Sequence, residues 1–322
     1  MPSKLRERLQ RQGYHLLGER GAFKACQWQH KSLLEGKVCY KQRFYGIESH
    51  RCVQMTPVVD KCTHQCRFCW RVTPADVGVR WNQTEVGESD VLGPRELLDA
   101  TLMANLRSLG GYNPETGAPV PLEKYLEARD PKHVAISLAG EPTLYPLLSE
   151  FIEEVHKRGM TSFLVTNGTM PRVLSRLTPP TQLYVTLAAP DEETYRRVCR
   201  PMIKDGWARL KESQEILQSF STRTANRLTM VYGYNMEKIR RYASLILLGE
   251  PDYVEVKGYM YVGASRGRLE RHNAPPHREI RAFARKLAAL TGYYVQDEQV
   301  ESRVVLLTRS KQIEKIQTRR TE

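Results

Sequence analysis

No run of eighteen apolar residues exists in the sequence, so no segment is long and apolar enough to be read as a membrane-spanning helix. The opening Met1-Pro-Ser-Lys-Leu-Arg-Glu-Arg8 is basic and has no apolar stretch behind it. That excludes the pattern of a secretory leader and sets the expectation of a cytoplasmic protein. Low-complexity tracts, Pro/Ser-rich linkers and solenoid-length repeats are missing too, so a repeat architecture is excluded. Acidic residues are outnumbered: 36 Asp and Glu against 49 Lys and Arg leave a formal charge of +13, which favours a polyanionic partner such as nucleic acid. Cysteine is sparse, at seven residues, and in an unsecreted chain it argues for metal binding rather than disulfides. With 41% hydrophobic and 26% charged residues the chain is expected to be globular, and 322 residues accommodate a large α/β domain without an internal boundary.

Three of the cysteines share one stretch, Lys61-Cys-Thr-His-Gln-Cys-Arg-Phe-Cys-Trp-Arg71. Cys62, Cys66 and Cys69 stand at C-x3-C-x2-C spacing after the extended run 52–60, which puts three thiolates on a loop that follows a strand. Iron–sulfur cubes usually take four cysteines, so a loop offering three leaves one iron open to another ligand. An open metal position is where chemistry happens. Zinc remains an alternative, with His64 as a possible fourth ligand inside the loop.

The C-x3-C-x-aromatic-C pattern, with Phe68 as the aromatic, resembles the signature of radical S-adenosylmethionine enzymes. In that superfamily the fourth iron is chelated by the methionine part of the cofactor, and the resemblance implies a [4Fe-4S] cluster on Cys62, Cys66 and Cys69 with Phe68 beside the cofactor.

Cys26, Cys39 and Cys52 recur with twelve residues between neighbours, all ahead of the loop. Single cysteines are also ordinary core residues. Here, however, their neighbours include Lys24, Lys37 and Arg51, and cations favour the thiolate that binds metal. A second three-ligand site follows as an expectation. The two triads together, with His64-Gln-Cys-Arg-Phe-Cys-Trp-Arg71, resemble the archaeal tRNA 4-demethylwyosine synthase family, over a span from Cys26 to the segment 258–263. That resemblance implies a second [4Fe-4S] cluster on Cys26, Cys39 and Cys52. It also implies that Lys41, two residues after Cys39, forms a Schiff base with pyruvate.

From His133 onward strands and helices alternate, as in a parallel sheet. Strands are expected at 133–140, 162–168, 183–189, 227–233 and 253–258, and helices at 94–106, 146–158 and 277–291. With the strand before Cys62 this makes six βα units, and polar motifs fall at the strand ends, where α/β folds assemble sites. The expected architecture is the partial (β/α)6 barrel of the radical family, with an N-terminal cysteine-containing extension and C-terminal strands at 293–296 and 303–308. In domain terms, residues 1–51 are an extension with the second-cluster ligands, 52–265 the barrel and 266–322 a basic extension, together one compact catalytic domain. Residues 1–25 read as an amphipathic, basic lead-in with Leu5, Leu9, Leu16 and Leu17 near helical spacing, and the charged tail 309–322 as a surface helix or disordered. Cys199 reads as a buried structural residue.

Gly140-Glu141 resembles the family's Gly-Gly-Glu element, which binds the cofactor's methionine amine. Ala139 replaces the first glycine, and a positive φ there would be costly. Asn167 and Thr186 are expected contacts to carboxylate and ribose. Arg196, Arg197, Arg200, Lys204, Arg266 and Arg268 are candidate RNA contacts, and Tyr40, Tyr45, Trp70 and Trp81 candidate base-stacking rings.

The function implied is condensation of N1-methylguanosine, 3′ to the anticodon at position 37 of tRNA-Phe, with carbons of pyruvate to give 4-demethylwyosine. The partners expected are tRNA-Phe, pyruvate and an external electron donor, with the protein acting as a monomer. The alternatives are another two-cluster radical enzyme acting on RNA or a small molecule, and a zinc-stapled RNA-binding protein without catalysis.

Overall fold

The computed structural model describes residues 1–316, so the end of the charged tail, 317–322, lies outside the described residues. Contacts divide the chain into two compact units, one of Met1–Asp60, Val86–Leu164 and Glu314–Glu322, the other of Lys61–Glu85 and Val165–Ile313. Among the described residues no helix is long and apolar enough to cross a membrane.

In the first unit the strands are β1 (His15–Leu17), β2 (Gly21–Phe23), β3 (Cys52–Thr56), β4 (His133–Ile136) and β5 (Thr161–Thr166), the last as far as Leu164. β1 and β2 form an antiparallel hairpin, and β2 pairs antiparallel with β3. β3, β4 and β5 then run parallel, with Cys52 opposite His133 and His133 opposite Thr161. β4 is buried throughout and β5 over Ser162–Leu164, while β3 alternates, and Val53, Met55, Val134, Ile136, Phe163 and Leu164 form the core of this part of the sheet. The helix Leu148–Lys157 buries Leu148, Phe151, Ile152 and Val155, one stripe at 3.6-residue spacing. Each of these side chains contributes roughly 1.5–3 kcal/mol of burial.

The amphipathic lead-in is helical only over Ser3–Arg11, where Leu5 and Leu9 are buried. The helix ends before Gly13, whose φ of +77° suits a left-handed turn, and Leu16 and Leu17 belong to β1. The expected continuous helical lead-in is therefore corrected to a helix followed by a hairpin.

In the second unit the strands are β6 (Gln182–Thr186), β7 (Arg223–Met230), β8 (Tyr253–Gly258), β9 (Tyr294–Gln299) and β10 (Val304–Thr308). β6, β7 and β8 are parallel, and β10 pairs antiparallel with both β8 and β9. All five residues of β10 are buried, so the C-terminal strands are integral to the sheet. The helix His277–Thr291 buries Ile280, Phe283, Ala284, Leu287 and Ala288, and ends at Gly292 with φ +76°. No helix forms over the described part of the tail, 309–316. The helices at Pro94–Ser108, Leu148–Lys157 and His277–Thr291 match the expected spans to within about two residues.

Candidate functional site

In the second unit the loop after Lys61 is built around three sulfurs. Its backbone is tied at several points: the Cys62 amide donates to the Gln83 carbonyl at 2.8 Å, and the Met202 amide to the Thr63 carbonyl at 2.8 Å. The Gln65 amide donates to the Cys199 and Arg200 carbonyls, and the Arg67 amide to the Val198 carbonyl at 2.9 Å. Cys62, Cys66 and Cys69 are each half-buried. Arg71, 2% exposed, faces all three thiols, and their negative charge raises its pKa against the opposing effect of its burial. Its guanidinium donates to Gln83 Oε1 at 3.1 Å and the His64 carbonyl at 3.2 Å.

Arg268 supplies a second cation from far along the chain. Its Nη1 donates to the Cys66 carbonyl at 3.0 Å, and its Nη2 to the carbonyls of Cys69 and Arg71. The expectation that Arg268 is an RNA contact is corrected by this inward placement. Gly263 makes the approach possible: it has φ +60°, and a Cβ there would stand 2.6 Å from the Trp70 carbonyl. Replacing Arg268 with Met would leave those buried carbonyls without their charged donor, and should cost about 3 kcal/mol of stability. Iron bound by the Cys62–Cys69 loop should fall with it, as read by thermal melting and iron content after reconstitution.

Burial raises the Cys69 thiol pKa while Arg71 opposes the rise, and a hydrogen bond with Cys199, more than burial, raises that of Cys66. Three soft sulfur donors around a permanent cation fit a three-cysteine iron–sulfur site, because the guanidinium offsets the charge of the thiolates that a cluster requires. His64 is buried, meets the Tyr195 hydroxyl at 2.5 Å, and is pushed down to about 3 by burial, so its ring is neutral. The ligand atoms of His64, Cys66 and Cys199 lie within 4.8 Å of one another, so zinc held there would take Cys199 in place of the Cys62 and Cys69 that the zinc alternative combines with His64. That placement leaves Cys62 and Cys69 without a role, although Arg71 faces them together with Cys66.

Asn167 follows β5 and turns to the loop, its Nδ2 donating to Thr63 Oγ1 at 2.9 Å and lying 3.8 Å from Cys62 Sγ. Its Oδ1 accepts from the Thr169 amide and hydroxyl. Thr186 ends β6, half-buried, and Phe68 packs against Val231, Tyr259 and Leu269. Trp70 and Trp81 are half-buried. Arg196 pairs with Glu192, Arg197 donates to the Tyr234 carbonyl, and Arg266 lies over the Tyr261 ring. These three, with Arg200 and Lys204, are exposed.

The helix Glu192–Cys199 carries Tyr195 and Cys199, and Asp191 caps it: Oδ1 accepts from the Thr194 amide at 2.9 Å, and Oδ2 from Lys238 Nζ and Arg241 Nη1, both at 2.8 Å. Burial opposes its ionisation, but the bonds from Lys238 and Thr194 outweigh that and hold the carboxyl well below the usual carboxylate range. The native pKa lies below the unfolded value of about 3.9, so the stabilisation is complete above that value and is lost as pH falls through the native one. Asp191→Asn should cost about 1 kcal/mol at neutral pH, given partly solvent-screened partners, and the gap to the wild type should narrow in melts below about pH 3.

In the first unit Cys26 immediately precedes the helix Gln27–Glu35, Cys39 precedes Tyr40–Tyr45, and Cys52 opens β3. The Cys39 amide donates to Ser49 Oγ at 2.8 Å, and Gln42 Oε1 accepts from the Ser49 amide and hydroxyl, which fixes the turn. Burial pushes the Cys52 thiol up to about 12, and the same group feels the Lys41 ammonium and the thiols of Cys26 and Cys39. One neighbourhood thus holds three sulfurs and an amine, a second donor set of three soft ligands. Lys41 is 8% exposed, with its Nζ 4.9 Å from the Phe163 ring centroid. Tyr40 and Tyr45 are buried, packing edge-on against Phe44, which removes them as base-stacking rings. His133, which sequence reasoning missed, is pushed down to about 3 chiefly by burial, and its neutral Nε2 accepts from the Glu48 amide at 3.0 Å.

At Ala139-Gly140-Glu141 the positive φ, +74°, belongs to Gly140, so alanine at the preceding position carries no strain. The Ala139 carbonyl accepts from Thr56 Oγ1 at 2.6 Å. Glu141 is 1% exposed, and its carboxylate accepts from the Thr143 amide and hydroxyl at 3.1 and 2.6 Å.

Comparison with known proteins adds to this geometry. Residues 56–246 match the family described as the radical SAM superfamily, and residues 248–309 the family described as wyosine base formation. The S-adenosyl-L-methionine-dependent tRNA 4-demethylwyosine synthase of Pyrococcus abyssi is 46% identical over 96% of this chain and 90% of its own. Its counterpart in Methanocaldococcus jannaschii is 40% identical over 95% and 96%. A solved structure of TYW1 with a lysine-pyruvate adduct bound superposes with a TM-score of 0.85, at 37% identity over 97% and 98% of the two chains.

Proposed function

The chain belongs to the S-adenosyl-L-methionine-dependent tRNA 4-demethylwyosine synthases, within the radical SAM superfamily, and on that premise we propose which of its residues carry each part of the reaction. It is a radical enzyme of wyosine biosynthesis with the superfamily's α/β fold, a partial (β/α)6 barrel, and it uses S-adenosylmethionine and a [4Fe-4S] cluster. The observation that carries the assignment of ligands is the gathering of the Cys62, Cys66 and Cys69 thiols around the buried Arg71 guanidinium.

Cys62, Cys66 and Cys69 would hold that cluster, and Cys26, Cys39 and Cys52 a second one. When bound, the first cluster and its cofactor supply one-electron cleavage of a sulfonium bond and a carbon radical able to take hydrogen from a methyl group. Arg71 and Arg268 hold the loop in register and offset thiolate charge. The Glu141 carboxylate is the acceptor for the cofactor's amine, Gly140 and Ala139 let the backbone approach, and Phe68, Asn167 and Thr186 flank the remainder. Lys41 is the nucleophile for pyruvate: its amine adds to the ketone, water leaves, and a Schiff base forms. Burial beside an aromatic ring is a setting in which lysine serves that role. The substrate base is N1-methylguanosine at position 37 of tRNA-Phe, presented out of the anticodon-loop stack, with the exposed Arg196, Arg197, Arg200, Lys204 and Arg266 as RNA contacts. Electrons come from a separate donor, and the chain acts as a cytoplasmic monomer. The division into residues 1–51, 52–265 and 266–322 is part of the same proposal.

The test is turnover. Anaerobically reconstituted protein, given tRNA containing N1-methylguanosine, S-adenosylmethionine, a reductant and labelled pyruvate, should place label in 4-demethylwyosine. Cofactor cleavage without labelled base would overturn the substrate assignment.

A further inference from the structure

One cavity of the second unit, of about 520 Å³, lies against the outside of the cysteine loop. Its wall includes Gln65 from the loop, Tyr195 and Arg196 from one helix, and Arg200, Lys204 and Trp207 from the segment that follows. The volume is within the range of about 300–1,000 Å³ typical of small-ligand sites. Its charge is one-sided. Glu192 is neutralised by Arg196, and Asp205 next to Lys204 by Arg209. Among the described residues the side chains of Arg200 and Lys204 form neither a hydrogen bond nor an ion pair, which leaves two cations at the opening. Arg200 is held at φ +49°, a left-handed conformation that costs about a kcal/mol or more for an arginine, so its backbone is imposed by the surrounding structure. Trp207 is half-buried, with one side against Tyr195 at a centroid distance of 5.5 Å. An indole beside two uncompensated cations is the combination that receives one unstacked nucleotide, the ring stacking the base and the cations taking phosphate.

We propose that this cavity is an RNA subsite for a single unstacked nucleotide, with its base on Trp207 and its phosphate on Arg200 and Lys204. The proposal rests on the tRNA reading above and specifies where a flanking nucleotide docks. The subsite is also joined to the cysteine loop: His64 bridges to Pro201 in strand fashion, the Gln65 amide reaches the Arg200 carbonyl, and Gln65 Nε2 lies 3.2 Å from Met202 Sδ. A nucleotide seated there bears on the same backbone that carries Cys62, Cys66 and Cys69.

The experiment measures binding of the anticodon stem-loop of tRNA-Phe to the reconstituted full chain, across a salt series, for the wild type, Arg200→Gln/Lys204→Gln and Trp207→Leu. The two charge changes are at exposed side chains, so melting temperature and iron content should remain those of the wild type. Affinity of the double variant should fall about tenfold or more, and its dependence on log salt should flatten by about 0.7, the share of one single-strand phosphate. Trp207→Leu should weaken binding roughly tenfold with the salt slope retained. Because Trp207 also packs on Tyr195, ultraviolet cross-linking of bound wild type is the companion measurement, and cross-links should map to the segment 200–207. Unchanged affinity and slope in the double variant, or cross-links confined to other segments, would overturn the subsite. Failure of the tRNA reading has a different signature, namely wild-type protein that forms no labelled base from pyruvate.

Discussion

Lys41→Ala should bind as much iron as the wild type, cleave S-adenosylmethionine, and yet form no trappable adduct with pyruvate. The expected loss of 4-demethylwyosine is at least about a thousandfold, because a covalent nucleophile is removed rather than a supporting contact. Lys41 occupies the first turn of the helix that Cys39 precedes, and its ammonium acts on the Cys52 thiol. The lysine is 8% exposed, and alanine in its place leaves a small void at the Phe163 ring. Stability should therefore change by no more than about 1–2 kcal/mol. Borohydride trapping with labelled pyruvate checks the adduct directly. A labelled wild type and an unlabelled variant are expected, and product formation by the variant at wild-type rates would remove Lys41 from the reaction.

The second large effect concerns the sulfurs around Lys41. Cys26→Ala/Cys39→Ala/Cys52→Ala should halve the iron content, from about eight to about four per chain, as expected if one of two four-iron cubes is lost. The remaining cluster should still support reductive cleavage of S-adenosylmethionine, because its ligands belong to another segment with its own braces. Product formation should vanish. Were the first triad ordinary core cysteines, the variant would keep all its iron and lose only packing. Burial pushes the Cys52 thiol up to about 12 against the opposing charge of Lys41, so without a bound metal it stays protonated at neutral pH, as an ordinary core cysteine would, and iron content rather than titration separates the two cases.

The parts of this protein legible in its sequence are those written in local spacing. The apolar runs at β4, β5, β6 and β8 could be read as buried parallel strands because they are short, rich in β-branched residues and bounded by turn residues between helical stretches, all of it local signal. The cysteine loop was legible for the same reason. β1 and β2 were not, since each strand has three residues and is bounded by glycines, too short for a period-two signal. The braces of the loop were hidden more deeply. Arg268 stands about two hundred residues from the carbonyls it serves, and an arginine among Gly263, Arg266 and Gly267 carries the composition of a phosphate-binding surface. Its inward turn depends on the close approach of Gly263 to Trp70, which only the folded chain shows. His133 sits first in an apolar strand and gave no signal beyond being a lone polar residue there, although a polar group in a run that must be buried is itself a cue that it is hydrogen-bonded. Tyr45 was misread in the other direction. It stands among the candidate base-stacking rings, yet its ring is wholly buried.

Mössbauer spectroscopy of protein reconstituted with iron-57 tests the central claim, two cubes each held by three sulfurs, most directly. The prediction is eight irons in two clusters, with one iron of one cube changing environment when S-adenosylmethionine is added and one iron of the other changing when pyruvate is added. A protein that binds only four irons, or whose second cube is indifferent to pyruvate with Lys41 intact, would contradict it.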